Sequence, residues 1–407
     1  MTIRGYKKAW IYFGFGMVWF FALLWPLMGI RADGLHFQSA FSVWIKVTVV
    51  CAVLLGLYQV KQSGFFSFLD RPKDMAQAAV VRVFTVVPNP VWILIGLGAG
   101  LVFPLLTGRY AQDVAINVLV YICLGLGLNI VVGLAGLLDL GYIAFYGVGA
   151  YTYALLSVHY ELSFWLALPF AALFAAIAGC IIGYPTLRMR GDYLAIVTLG
   201  FGEIVRIILN NWMELTNGPN GILGILSPGI YVPVMENGLA FEHMALRKLP
   251  HLYYVIFFLA VFTIICVRRL NFSRIGRAWE AIREDETAAE VMGVNTFLLK
   301  LLAYAMGAVF GGLAGAFFAA RMRFVSPESF TFLESAMVLS MVVLGGLGSI
   351  PGIILGALAL IVLPELFREF ELYRMLAFGG AMTLMMLFRP KGLIPATRVG
   401  SRSEERE

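Results

Sequence analysis

Apolar runs too long for an ordinary soluble core recur along this chain: Val91 to Leu106, Val114 to Val132, Leu252 to Val267 and Met375 to Phe388. Stretches of that length suit the hydrocarbon thickness of a bilayer. Inside hydrocarbon every backbone N–H and C=O has to be bonded within the protein, so only helices and closed barrels span it. A barrel needs strands of about ten residues that alternate apolar and polar. These runs are apolar on every face, with small residues spread through them. The expected fold is therefore all-α, a polytopic bundle of transmembrane helices. Composition agrees, since 60% of the 407 residues are hydrophobic and only 13% charged, against about 25% charged in soluble domains.

Reading apolar runs between polar breaks places spans near 9–30, 43–60, 91–106, 114–134, 141–158, 164–184, 193–210, 252–268, 298–320, 336–350, 352–364 and 375–388. The pair at 336–350 and 352–364 is short and Gly-rich, so half-helices are admitted there and the expectation is about 10–12 spans. The chain divides into two appended spans with a cytoplasmic linker (1–90), a core (91–395) and a cytoplasmic tail (396–407). Arg4, Lys7 and Lys8 precede the first apolar stretch, but it is longer than a signal-peptide core and no A-x-A-like site follows, so it is read as a span. With both termini in the cytoplasm, twenty of the thirty Lys and Arg fall on that side, as the positive-inside rule requires.

Several function classes lose support. The net charge of +6 comes from Lys and Arg at the ends of apolar runs, which points away from nucleic acid. No G-x-x-x-x-G-K-[ST] phosphate loop is present, so the chain carries no nucleotide site of its own. His36, His159, His243 and His251 map to loops outside the cytoplasm without ligand spacing, and no catalytic or metal site is expected. Cys51, Cys123, Cys180 and Cys266 lie in apolar stretches as small core residues, with no disulfide expected.

Ionisable groups inside spans are costly and so informative. Lys46 lies near a span end and Asp139 at a turn where water is close. Glu203 and Arg206 share a helical face at spacing i,i+3. Two readings are open for that pair, an ion pair holding helices together or a lining of the transport path. Other candidates for the path are Gly218, Asn220 and Gly221 in a turn-forming run and the Gly345-Gly346 pair, where broken helices offer free carbonyls and dipoles to the charged ends of a small solute.

Residues 269–297 are dense in both charge signs and rich in helix formers. Ala278, Ala281 and Ile282 recur at helical spacing, Ala288, Ala289, Val291 and Met292 continue an apolar stripe, and Gly293 reads as a stop. An amphipathic helix held at the membrane surface is expected, a knob for a soluble partner.

The run Gly276-Arg277-Ala278-Trp279-Glu280-Ala281-Ile282-Arg283-Glu284-Asp285-Glu286, followed by Ala288-Ala289 and Gly293, closely resembles the cytoplasmic loop of LivM-type permeases of branched-chain amino acid ABC importers. Gly136-Leu137-Leu138-Asp139-Leu140-Gly141-Tyr142, Gly149-Ala150-Tyr151, the run from Arg190 to Arg206, Phe324 to Phe330 and Gly345-Gly346-Leu347-Gly348-Ser349 agree, and the resemblance covers roughly 110–395. It implies a permease subunit that forms the translocation path with a second, LivH-like permease. Two ATPases, LivG- and LivF-like, would drive it with their own ATP and Mg, so that this chain is not an enzyme and needs no cofactor. A periplasmic binding protein would deliver Leu, Ile or Val across a bacterial inner membrane. The same resemblance assigns ATPase coupling to Arg277, Glu280, Arg283, Glu284, Asp285, Glu286, Ala288, Ala289 and Gly293. The run departs from the EAA motif of many other ABC permeases, because Thr287 separates Glu286 from Ala288. Two alternatives remain: an ABC permease for another small solute such as urea, an amide or a sugar, and an ion-coupled secondary transporter, which would need more ionisable residues at the midplane than Glu203 and Arg206.

Overall fold

The computed structural model describes residues 89–366, apart from positions 188, 190, 236–238 and 247, together with 30–31, 34–35, 379, 383 and 392–394. The expected spans at 9–30, 43–60 and 375–388 lie outside the residues so described. Two compact units divide between Leu97 and Gly98. In the first, the antiparallel pair β1 (Ile30–Arg31) and β2 (Gly34–Leu35) and the start of α1 (Asn89–Leu106) are described.

The second unit is a helical bundle. Its helices are α2 (Arg109–Asn129), extended by one π-helical turn (Ile130–Leu134), α3 (Ile143–Tyr160), α4 (Phe164–Thr186), α5 (Asp192–Asn211), α6 (Leu249–Asn271), α7 (Arg274–Glu284), α8 (Glu286–Val291), α9 (Thr296–Met322), α10 (Phe332–Gly345) and α11 (Ile350–Leu366). Among the described residues, six helical segments are long and apolar enough to cross a membrane. They match the spans expected at 114–134, 164–184, 193–210, 252–268 and 298–320, and a sixth runs over Pro327–Gly345. The two short Gly-rich segments are separate helices of 14 and 17 residues that meet at a turn.

Helix α9 is the axis of this unit and packs against α4, α3 and α2. It can do so because small residues fill the contact faces. A methyl group at Gly315 would overlap the Tyr146 carbonyl, and one at Gly149 would overlap the Gly312 backbone. With no hydrophobic difference between lipid tails and Leu side chains, close backbone approach and dense packing carry helix association in a bilayer. The larger core side chains, Tyr142, Phe145, Tyr153, Phe310 and Phe317, close the space around that axis.

Three short strand pairs complete the fold, and two belong to this unit. β3 (Ile222–Leu223) pairs antiparallel with β6 (Phe324–Val325), tying the chain just after α5 to the chain just after α9. β4 (Gly229–Met235) and β5 (Leu239–Ala245) form a hairpin. The segment between β3 and β4 is pinned to the bundle: Tyr153 Oη donates to Leu226 O (2.6 Å), Leu226 N donates to Ser157 Oγ (2.8 Å) and Trp165 Nε1 donates to Gly229 O (2.9 Å). The small sheet and the α7–α8 hairpin thus occupy opposite ends of α9, whose 27 residues span about 40 Å.

Candidate functional site

The α7–α8 hairpin is built from its caps inward. Ser273 Oγ accepts from Gly276 N (3.2 Å) and starts α7, where the next turn already lies tight against the Leu270 and Asn271 carbonyls. Asp285 Oδ1 accepts from the N–H groups of Thr287 (2.9 Å) and Ala288 (3.0 Å), capping α8, a bond worth about 1 kcal/mol. At the far end Gly293 takes a φ of +86° while Val294 N donates to Ala289 O (3.1 Å), the C-terminal reversal that favours glycine. Asn295 Oδ1 then accepts from Leu298 N (3.1 Å) and opens α9.

What seats the hairpin on the bundle differs in part from the expected stripe. The buried face is Gly276, Trp279, Ile282 and Ala289, whereas Ala281 is exposed. Trp279 is fully buried and its Nε1 donates to Leu299 O (2.7 Å). Glu286 pairs with the buried Lys300 (2.5 Å), a lysine that the sequence places at a span end and whose burial only tertiary packing decides. The Arg283 guanidinium donates to Gly133 O on the π-helical turn. Val291 and Met292, expected to continue the apolar stripe inward, are instead 83% exposed at the tip. The chain reverses right after them at Gly293, and of the last turn of α8 only Ala289 faces inward.

The nine candidate coupling residues therefore divide. Arg277, Glu280, Glu284 and Ala288 lie on the exposed surface, Arg277 with a bond to Phe272 O (3.3 Å). Ala289 is buried, Asp285 and Gly293 shape the turns, and Arg283 and Glu286 reach back to the bundle.

The candidate path residues form three separate places. Glu203 and Arg206 make a salt bridge of 2.8 Å on α5, each about one-third exposed. Glu203 also lines a shallow indentation, with room for no more than a water, together with Gly141, Leu199, Phe330, Phe332 and Ser335, between α5, the α2–α3 connection and the start of α10. Gly218, Asn220 and Gly221 lie in a tight turn after α5. Asn217 Nδ2 donates to Gly221 O (2.9 Å), and a side chain at Gly221 would overlap the Val325 carbonyl. That run holds the β3–β6 junction. Gly345 and Gly346 sit at the opposite end of α10 from Phe332, 13 residues on and so about 20 Å away.

Asp139 overturns an expectation. It is 1% exposed rather than beside water. Its Oδ1 accepts from Gly141 N (2.8 Å), and Leu140 N donates to Thr198 Oγ1 (3.1 Å). Burial pushes its carboxyl up to about 6, opposed by the Gly141 N–H and the Thr198 hydroxyl. His159 and His251, expected in loops, stand in the last turn of α3 and the first turn of α6. Cys123, Cys180 and Cys266 are free thiols. Among the described residues no group of three or more His, Cys, Asp or Glu is placed to hold a metal ion.

One polar cluster escaped the sequence reading. Arg321, near the end of α9, donates to Asp113 Oδ1 (2.7 Å) and Asn117 Oδ1 (2.6 Å) on α2. The signal was the i,i+4 spacing of Asp113 and Asn117, which sets both on one face of α2.

Comparison with known proteins agrees with this architecture. Residues 110–388 match the family model described as branched-chain amino acid transport system / permease component. The chain is 48% identical over 396 residues to the high-affinity branched-chain amino acid transport system permease protein LivM of Escherichia coli (strain K12), covering 93% of each chain. It is 43% identical over 412 residues to the protein of the same name from Salmonella typhimurium, covering 94% of each. At 24% identity over 286 residues it also resembles the permease protein LivH of the latter organism, across 67% of this chain and 91% of that one. No solved structure matches. The family match over residues 110–388, a range that takes in the α7–α8 hairpin, and the 48% identity over 93% of the chain make it a member of the branched-chain amino acid transport system permease family.

Proposed function

We propose that this chain is the membrane-embedded permease subunit of an ATP-driven importer of Leu, Ile and Val. In this reading it lies in a bacterial inner membrane with both termini in the cytoplasm and forms the path with a second, LivH-like permease. Two separate ATPases bind ATP and Mg, and a periplasmic binding protein delivers the amino acid. The names of the relatives support the cargo. The observation that carries the mechanism is the α7–α8 hairpin: its inner face is locked to the bundle through Trp279 and Lys300, and its tip presents Val291 and Met292 at 83% exposure. An anchored hairpin with exposed apolar side chains near its end fits docking into a soluble protein, since a few buried anchors dominate such interfaces.

On this reading, closure of the ATPase pair on ATP moves the hairpin as a body. The bundle opens outward, takes the amino acid from the binding protein, and releases it inward after hydrolysis. The Glu203–Arg206 pair, each about one-third exposed with Leu199 and Phe332 nearby, sets both charge signs beside apolar side chains, which supports passage of a zwitterion along this face once the bundle opens.

The test is affinity purification of the tagged chain from native membranes, with leucine uptake measured in parallel. Asp285 and Glu286 are poor targets, because one caps α8 and the other pairs with Lys300. Val291→Asp with Met292→Asp leaves the inner face intact. The wild-type chain is expected to bring down two ATPases and a second permease, and the double variant to lose the ATPases by a factor of about thirty, as for loss of about 2 kcal/mol of interface anchoring. Unchanged ATPase recovery from the variant would remove the hairpin tip from the interface. A chain that purifies alone and still transports would overturn the importer reading.

A further inference from the structure

The hairpin's connection to the bundle leads to one particular place. The Arg283 guanidinium donates to the carbonyl of Gly133, in the π-helical turn that ends α2. A side chain at Gly136 would press on the Arg283 stem at 2.8 Å, so the end of α7 lies directly on this turn. One turn back along α2, Asn129 is fully buried, and its Oδ1 accepts from Gly348 N (2.8 Å). Gly348, with a φ of +84°, belongs to the turn between α10 and α11. Gly133 lies between the two contacts: a methyl group there would overlap Asn129 Oδ1 and come within 2.7 Å of Gly348 N. The amide nitrogen of Asn129 has no hydrogen-bond partner among the described residues.

We infer that Arg283, Gly133 and Asn129 form a mechanical link that positions the Gly345–Ser349 turn according to the state of the α7–α8 hairpin, and so ties ATPase movement to the α10–α11 end of the transport path. The inference rests on the importer reading. Three physical features carry it. A π-helical turn is a register irregularity that favours local shifts, and such turns concentrate at functional sites. The glycine contacts leave no slack between the guanidinium and the far turn, so displacement is transmitted rather than absorbed. The unpartnered Asn129 amino group is a buried donor with an unmet bond, which costs about 1–3 kcal/mol. A small shift of the Gly346–Ser349 backbone that brings a carbonyl to it supplies a second stable arrangement. These are positioning residues: Asn129 is fully buried, and Arg283, though itself exposed, turns its guanidinium back to the bundle.

The test uses the full importer in proteoliposomes, with binding protein and leucine outside, reading leucine taken up per ATP hydrolysed. Asn129→Ala is expected to lower that ratio about tenfold while hydrolysis stays within about twofold, in the range of ordinary coupling free energies. Arg283→Ala is expected to lower it to a similar extent, Arg283→Lys to restore most of it, and the double variant to be no worse than either single one, as for two parts of one link. Uptake per ATP within about twofold of wild type in Arg283→Ala would overturn the link, and so would additive losses in the double variant. If Asn129→Ala fails to assemble, the Ala and Lys variants at Arg283 decide the matter. If the wild-type assembly itself shows no ATP-dependent leucine uptake, the importer reading fails, a result distinct from failure of the link alone.

Discussion

Asp139 shows how much one residue's meaning depends on what surrounds it. In the sequence it stands between two apolar runs, where a turn open to water is the economical reading. In the fold it is closed over by Thr198 of α5 and by the backbone of its own loop. A carboxyl raised to about 6 binds more protons in the folded than in the unfolded chain between its ordinary value and 6. Stability from this group is therefore present at low pH and lost as pH rises through that window. Asp139→Asn keeps the oxygen that accepts from Gly141 N and removes the charge. It is expected to raise the melting temperature of the detergent-solubilised protein at about pH 8, with a gain on the order of 2 kcal/mol, and to leave it unchanged at about pH 4. A thermal melt followed by intrinsic fluorescence checks this. A destabilised Asn variant at the higher pH would show that the charged form is needed by the fold.

At the scale of elements, the spacing of small residues decides which helices meet. Gly315 on α9 approaches the Tyr146 carbonyl on α3 so closely that no side chain fits between them. Gly315→Ala is favoured by intrinsic helix propensity, yet the clash is with backbone and cannot be relieved by a rotamer change. The expected net loss is about 2 kcal/mol, read as a lower unfolding midpoint in detergent. Gly200→Ala on α5, where a methyl group meets nothing within 4 Å among the described residues, is the matched control. The positions and lengths of most helices were legible from apolar runs alone, because the requirement for internal backbone hydrogen bonding in lipid leaves few other structures. The face that α7 buries was not. Ala278, Ala281 and Ile282 satisfy helical spacing as well as Gly276, Trp279 and Ile282 do, and the carbonyl of Leu299 that receives Trp279 belongs to another helix.

For the whole molecule, the outer surface of the second unit is as informative as its core. Helix α4 turns Trp165, Phe170, Leu173, Phe174 and Ile177 outward. Such exposure is ordinary for a membrane protein and prohibitive for one in water. Phe174→Arg is expected to reduce stable insertion by about 3 kcal/mol, measured as a fall in the share of the chain in the carbonate-resistant membrane fraction. Insertion at the wild-type level would mean that this face meets water rather than apolar surroundings.

The sequence by itself determined that the chain is a helical membrane protein, where most of its helices run, and which charged loop folds as a capped helical hairpin. These conclusions depend on local composition and period, which the bilayer reads residue by residue. Only the tertiary structure decided that Val291 and Met292 are exposed, that Glu286 is occupied by Lys300, that the turn at Gly218, Asn220 and Gly221 packs against the Val325 carbonyl, and that Asn129 joins α2 to the α10–α11 turn. Each of these pairs residues far apart in the chain, and whether a polar group is exposed, capped or paired depends on partners that no local pattern names.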